Sequence, residues 1–274
     1  MQNPFIHNFI SGRIYQGNLK MVCSPGLNCY SCPASAVSCP MGSIQLFLAG
    51  VRQSISYYIV GFLVIIGAIF GRFICGFVCP MGLLQDLVYR LKTPKRKMRL
   101  RYLRYTKYAI LLIFVILLPL SIRHELTELG QPWFCKIICP SGTLFGAIPL
   151  LAVNDFLRQF AGIQLIWKLT LAVSLITLSI FVYRIFCRVL CPLGAIYALM
   201  NKIAVLQMRC DTNKCISCMQ CSDACHIKLE PKSNPNSPEC VRCGKCINTC
   251  NPKALSYGVK SKRNLCSQND LTLR

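Results

Sequence analysis

Three apolar stretches, flanked by basic residues, dominate the hydrophobic pattern of the chain. They cover residues 53–71, 108–122 and 169–183. A helix needs ~20 apolar residues to cross a hydrocarbon core, and the Lys and Arg stems that flank the two shorter stretches extend them toward the interface. The pattern predicts three membrane spans, or four if a further span exists at the N-terminus. Buried core helices are the rival interpretation.

The connections between these stretches differ in charge. Residues 90–107 hold nine Lys or Arg and no acidic residue, whereas residues 121–162 hold three of each sign. Basic loops favour the cytoplasmic side of a membrane. We therefore expect residues 90–107 and everything after residue 183 to be cytoplasmic, and residues 121–162 to lie outside. The predicted location is the cell (inner, cytoplasmic) membrane, crossed several times.

Composition supports the membrane interpretation of the charge. The 31 Lys and Arg against 9 Asp and Glu give a net charge of +22, in a chain that is 54% hydrophobic. A basic balance often indicates nucleic-acid binding, but in so apolar a chain it is typical of a membrane protein. We expect lipid and no nucleic acid as a partner. The 20 cysteines of this 274-residue chain are too many for an ordinary cytosolic enzyme.

Eight of the cysteines form two runs with the spacing Cys-x2-Cys-x2-Cys-x3-Cys. Three thiolates of such a run bind one [4Fe-4S] cluster, and the fourth binds the other cluster. This predicts one cluster held by Cys215, Cys218, Cys221 and Cys250, and a second held by Cys240, Cys243, Cys246 and Cys225. Zinc is the main rival, because pairs of cysteines two residues apart also suit it.

A second motif, Cys-Pro-x-Gly, occurs four times. Its cysteines are Cys39, Cys79, Cys139 and Cys191. Three copies have a cysteine four residues upstream, at Cys75, Cys135 and Cys187; at the first copy this place is Ser35, for which Cys29 or Cys32 must substitute. A spacing of four puts two sulfurs on one face of a helix end. Ligands are the favoured interpretation, and buried thiols at a helix stop are the alternative.

The predicted topology divides these cysteines between two related halves, residues 23–107 and 123–207. Related halves commonly pack about a pseudo-twofold axis. We expect the inner set (Cys75, Cys79, Cys187 and Cys191) to converge at the cytoplasmic end of the bundle as one metal site. An outer pool (Cys29, Cys32, Cys39, Cys135 and Cys139) would supply another site on the far side of the membrane, with disulfides as the rival. We expect one or two further clusters or metal sites here.

The predicted fold class is a mainly α membrane bundle followed by a small α+β two-cluster ferredoxin domain. The bundle covers residues 1–207, the ferredoxin segment residues 208–260, and a short tail residues 261–274.

The membrane spans, the "CGFVCPMG" and "CRVLCPLG" motifs and the terminal double ferredoxin resemble the NapH-type, MauN-type and NosR-type membrane polyferredoxins. The resemblance covers about residues 55–255. It implies electron transfer between the quinone pool or a redox partner protein and cytoplasmic clusters. It also implies a component of an oxidoreductase complex rather than a stand-alone enzyme.

Two other functions stay open at this point. One is an enzyme subunit that oxidises or reduces quinol at its own site. The other is an assembly or regulatory membrane protein that handles metal or thiols, because soft thiolates suit Cu(I) and thiols outside can cycle as disulfides. The chain has three histidines, none within the three apolar stretches, so paired axial ligands for a haem are lacking there.

Overall fold

The computed structural model describes residues 2–50, 56–95, 102–122, 130–159, 162–211 and 213–259. This part of the chain is mainly helical, with one two-stranded sheet. The longer helices are α1 (Pro40–Leu48), α2 (Ser56–Phe70), α3 (Pro80–Tyr89), α4 (Leu103–Ser121), α5 (Pro140–Val153), α6 (Ile163–Phe181) and α7 (Pro192–Met200). Short helical turns cover Asn8–Ser11, Asn18–Met21, Phe73–Phe77, Trp133–Ile137, Asp155–Gln159, Ile185–Val189, Gln220–Asp223 and Lys245–Asn248.

Helices α4 and α6 are long and apolar enough to cross a membrane. Each has a mean hydropathy of 1.8 over its most apolar stretch, of which only 22% and 17% is buried inside the protein. Such exposure leaves a wide apolar surface for lipid. Two of the three predicted spans therefore correspond to helices of membrane-spanning length. The first predicted span corresponds to the shorter α2, and residues 51–55 lie outside the described part.

Helix α5 lies in the segment that the sequence predicted to be an outer connection. It is apolar but shorter than the two helices of membrane-spanning length. Both α4 and α5 contain a π-helical segment, Leu111–Leu117 and Thr143–Ala147. Each segment is followed at once by a turn that contains a proline, Pro119 or Pro149. Proline cannot donate the helical hydrogen bond, and a locally wider turn accommodates the loss.

Four helices begin with the proline of a Cys-Pro-x-Gly motif. In α1, α3, α5 and α7 the preceding cysteine is extended, as at Cys39 (φ −78°, ψ 124°) and Cys191 (φ −77°, ψ 113°). A residue before proline avoids the helical conformation, and proline suits the first helical position. In the three paired motifs the upstream cysteine lies in a separate helical turn. Each paired motif is thus a helical turn, a break and a new helix, and the backbone N–H of its second cysteine bonds back to the turn, as Cys79 does to the carbonyl oxygen of Ile74.

The ferredoxin segment is closed by its two strands. Strand β1 (Leu206–Cys210) pairs antiparallel with β2 (Leu255–Val259) and places Met208 opposite Tyr257. The two cysteine runs between them have matching backbones. Left-handed residues recur 25 positions apart, at Ser217 and Arg242, Met219 and Gly244, and Lys228 and Lys253. Left-handed residues within such turns orient amide groups toward an anionic centre.

Candidate functional site

The inner set lies in the buried core of the helical part. Cys75, Cys79, Cys187 and Cys191 are each at most 7% exposed and belong to one apolar cluster. The sulfur of Cys191 is close enough to the other three for their charges to interact. The structure therefore brings together the two pairs that the repeated motif predicted to meet.

Two buried arginines connect the pairs reciprocally. Arg72, three residues before Cys75, donates to the carbonyl oxygen of Cys187 at 3.1 Å. Arg184, three residues before Cys187, donates to the carbonyl oxygen of Cys75. Both arginines are 0% exposed, and a buried guanidinium needs such acceptors. Each half thus fixes the backbone of the other at its first cysteine.

The glycines of the two motifs of the inner set are required by close approach. A Cβ at Gly82 would lie 2.6 Å from the carbonyl oxygen of Cys75, and one at Gly194 would lie 2.9 Å from that of Cys187. Any larger residue would displace these carbonyls, so the glycine follows from packing at the site.

Four members of the outer pool also come together. Cys29, Cys39 and Cys139 lie near Cys135, close enough for their charges to interact with it. We call these four the outer set. Cys32 is buried and instead neighbours Lys20 and Cys29. The sequence left open whether Cys29 or Cys32 substitutes for the missing upstream cysteine. In the structure, Cys29 takes this place.

Ser35 occupies the missing cysteine position for a structural reason. Its hydroxyl accepts a hydrogen bond from Asn28 Nδ2 at 3.0 Å and donates to the carbonyl oxygen of Val37 at 2.7 Å. These bonds fix the loop between Cys29 and Cys39.

The outer and inner sets are close neighbours. The backbone N–H of Leu27 donates to Cys79 Sγ at 3.4 Å, and Cys29 of the outer set follows two residues later. Two residues span at most ~7 Å of extended chain. The expectation that the outer pool lies on the far side of the membrane from the inner set is therefore wrong. Gly26 makes this approach possible, since its Cβ would lie 2.9 Å from the Cα of Cys79.

Each predicted ligand set of the ferredoxin segment surrounds its own cavity. One cavity is lined by Cys225, Cys240, Cys243 and Cys246. The other is lined by Cys215, Cys218, Cys221 and Cys250. The fourth cysteine of each run thus faces the cavity of the other run. Four thiols around a cavity match the donor set of a [4Fe-4S] cluster.

No three or more Cys, His, Asp and Glu side chains in the described ranges converge tightly enough to hold a single metal ion.

Burial raises the pKa of the Cys240 thiol to about 11 and that of Cys246 to about 12. Without a metal these thiols are protonated at neutral pH, and binding iron as thiolates would release their protons.

A buried ion cluster attaches the ferredoxin segment to the helical part. Glu239, directly before Cys240, contacts Lys107 Nζ at 2.6 Å and Arg72 Nη1 at 3.3 Å. Burial opposes ionisation of Glu239, but the two cations outweigh it and lower the pKa of the carboxyl. Arg72 therefore contacts both the inner set, through Cys187, and the residue that precedes the second cysteine run.

Close backbone contacts support the same attachment. A Cβ at Gly76 would lie 2.8 Å from the carbonyl oxygen of Val241. Gly76 follows Cys75, and Val241 follows Cys240. Asn201 donates to the carbonyl oxygens of Ser237 at 2.7 Å and Cys240 at 3.2 Å. The second cysteine run thus lies directly against the inner set.

Sequence reasoning missed Arg72, Arg184 and Glu239. A signal existed for the arginines, because each precedes the first cysteine of an inner pair by three residues. Glu239 had none, since a lone acidic residue in a loop is normally solvated.

Comparison with known proteins agrees with this arrangement. The family described as "4Fe-4S binding domain" matches the chain twice, over residues 55–101 and 165–209. Each matched segment contains one pair of the inner set.

Relatives cover most of the chain. An uncharacterized protein of Methanocaldococcus jannaschii is 29% identical over 239 residues, which is 82% of this chain and 88% of the relative. The ferredoxin-type protein NapH of Escherichia coli is 25% identical over 65% of this chain and 59% of its own length. The regulatory protein NosR of Stutzerimonas stutzeri is 28% identical over 63% of this chain and 22% of its own. No solved structure matches the chain. The 4Fe-4S match and these relatives support a NapH/NosR-type, polyferredoxin-like family as the one that the chain resembles.

Proposed function

We propose that the chain is a multi-pass membrane protein that passes electrons between a membrane partner, or the quinone pool, and [4Fe-4S] clusters in its ferredoxin segment. The segment faces the cytoplasm. The chain acts as a component of an oxidoreductase complex, and its redox partner protein carries out the chemistry on the substrate.

The contact between the inner set and the second cysteine run supports this proposal most strongly. Gly76 and Val241 touch through their backbones, and Arg72 bonds to both sides. These contacts join the ferredoxin cavities to the inner set. The outer set is joined through Leu27, which donates to Cys79 Sγ and lies two residues before Cys29.

The cysteine sets have separate roles in this proposal. The eight cysteines of the two runs hold two [4Fe-4S] clusters, and the inner and outer sets hold one cluster each. A bound cluster carries one electron at a time. The chain's own residues exclude water, as the low exposure of the inner cysteines indicates, and fix the spacing between neighbouring sites.

Loop charge and contact geometry both support the cytoplasmic orientation. Lys107 ends the basic segment 90–107 and is buried against Glu239 of the ferredoxin segment. The segment therefore lies at the end of the bundle that carries the excess of Lys and Arg, which is the cytoplasmic end by the positive-inside bias.

A reoxidation experiment tests the electron path. The full chain is purified anaerobically, placed in nanodiscs, reduced with dithionite and freed of excess reductant. A quinone analogue is then added, and the absorbance of the clusters is followed by stopped flow. We expect Cys191→Ser to slow the reoxidation of the ferredoxin clusters at least tenfold. Cys23→Ser, which changes a buried cysteine outside both sets, should not. Equal rates in all three proteins would remove the inner set from the path.

A further inference from the structure

Two buried glutamines occupy equivalent places beside the two cysteine sets. Gln45 and Gln85 each stand six residues after the cysteine of a Cys-Pro-Met-Gly motif. They are 0% and 2% exposed. Gln45 Nε2 lies 3.3 Å from Cys135 Sγ, and Gln85 Nε2 lies 3.2 Å from Cys187 Sγ. Each glutamine thus donates to the first cysteine of a motif in the other half of the chain.

The remaining contacts fix the orientation of each amide. The Oε1 atom of Gln45 accepts the backbone N–H of Phe134 at 2.9 Å, and that of Gln85 accepts the N–H of Phe186 at 3.2 Å. A backbone N–H can only donate, so the oxygen must face it and the NH2 group must face the sulfur.

The second N–H of each NH2 group is also used. It donates to the carbonyl oxygen of Met41 at 3.1 Å or of Met81 at 3.3 Å. Both N–H groups and the oxygen of each amide therefore have a partner, which holds one N–H toward its sulfur.

Two of the four motifs have a glutamine six residues after their cysteine, and in both the glutamine contacts a sulfur of the other half. At the matching position the third and fourth motifs have Phe145 and Tyr197. The Tyr197 hydroxyl instead donates to the carbonyl oxygen of Pro25 at 2.7 Å. The outer set thus receives the amide of Gln45, and the inner set receives the amide of Gln85. In both cases the glutamine and the cysteine that it contacts belong to different motifs.

We infer that Gln45 and Gln85 are positioning residues that raise the reduction potentials of the outer and inner sites through an N–H···S bond to a ligating cysteine. This rests on the proposed function, in which both sets hold iron-sulfur clusters. Reduction adds negative charge that the cluster sulfurs and thiolates share. A donor aimed at a thiolate stabilises the reduced state more than the oxidised state, and this raises the potential.

Redox titration of the full chain, followed by EPR, tests the inference with Gln85→Met and Gln45→Met. Methionine has nearly the length of glutamine but no N–H. In Gln85→Met we expect one cluster signal to become at least tenfold less reduced at a fixed ambient potential, a shift of ~59 mV for a one-electron couple. Gln45→Met should shift a different signal by a similar amount. The two ferredoxin signals should not move.

Pulsed EPR of the wild-type chain with ¹⁵N-labelled glutamine side chains provides a test without substitution. Two clusters outside the ferredoxin segment should each couple weakly to one ¹⁵N nucleus. If the two methionine variants retain their iron and their potentials do not change, or if the wild-type clusters show no ¹⁵N coupling, the glutamines do not tune the clusters. The proposed function would be unaffected by either result. If the wild-type chain holds no more iron than its two ferredoxin clusters need, the inner and outer sets hold no clusters. Both that part of the proposed function and the role of the glutamines would then be wrong.

Discussion

The guanidinium of Arg72 donates to the carbonyl oxygen of Cys187 at 3.1 Å, across 115 residues of sequence. The same side chain donates to the carbonyl oxygen of Pro238 at 2.9 Å and pairs with Glu239. One buried residue therefore joins the inner cysteine set to the ferredoxin segment, which makes the attachment sensitive to single substitutions.

Glu239→Gln should loosen the ferredoxin segment. It leaves Arg72 and Lys107 buried without their counter-charge, and removing one partner of a buried ion pair costs ~3–5 kcal/mol. Limited proteolysis of the purified chain should release the segment much faster than in the wild type. Asp155→Asn is the matched control, because Asp155 pairs with Arg158 on the exposed surface, where a pair contributes at most ~1 kcal/mol. Equal proteolysis of both variants would contradict the buried attachment.

Gly76→Ala should separate the second cysteine run from the inner set. The new methyl group would meet the backbone oxygen of Val241 at 2.8 Å, and neither backbone can move freely. We expect the ferredoxin clusters to be retained but their reoxidation by a quinone analogue to slow at least tenfold. Gly61→Ala is the control, since a Cβ there meets nothing within 4 Å. Unchanged kinetics in Gly76→Ala would show that this contact does not set the rate.

Cys225→Ser and Cys250→Ser should affect opposite clusters. Cys225 lines the cavity of the second run, and Cys250 lines that of the first. We expect Cys225→Ser to alter the cluster held by Cys240, Cys243 and Cys246, and Cys250→Ser to alter the other, with distinct EPR signals lost. The two variants control for each other. If each serine instead removed the cluster of its own run, the crosswise assignment would be wrong.

Cys29→Ser and Cys32→Ser should differ although they lie three residues apart. Cys29 neighbours Cys39, Cys135 and Cys139, whereas Cys32 does not complete this set. Iron analysis should show a loss in Cys29→Ser and none in Cys32→Ser. Thiols that titrate only after addition of a reductant, together with unchanged iron in both variants, would instead identify the outer cysteines as disulfides.

The sequence predicted much of this arrangement because cysteine spacing carries it directly. The doubled run identified the lining of both ferredoxin cavities, and the Cys-Pro-x-Gly repeats identified Cys75 and Cys187 as neighbours. These predictions needed only local geometry and a repeat.

Other features depend on packing that no local pattern encodes. The choice of Cys29 over Cys32 depends on how an irregular loop folds around Ser35. The closeness of the two sets depends on Gly26, which lets a loop assigned to the far side of the membrane reach Cys79. Lys107 belongs to the basic segment that the sequence predicted to be cytoplasmic, yet it is buried against Glu239. Charge counting could not distinguish it from the exposed Lys92 and Lys95 of the same segment.

Iron and acid-labile sulfide analysis of the anaerobically purified full chain, combined with EPR, measures how many clusters the protein holds and where. We expect about eight iron and eight sulfide per chain for the ferredoxin segment, from two [4Fe-4S] clusters. We also expect additional iron and sulfide, which Cys75→Ser and Cys39→Ser reduce without loss of the ferredoxin signals. A chain that holds zinc without sulfide, prepared in the same way, would show that the cysteines do not bind iron-sulfur clusters.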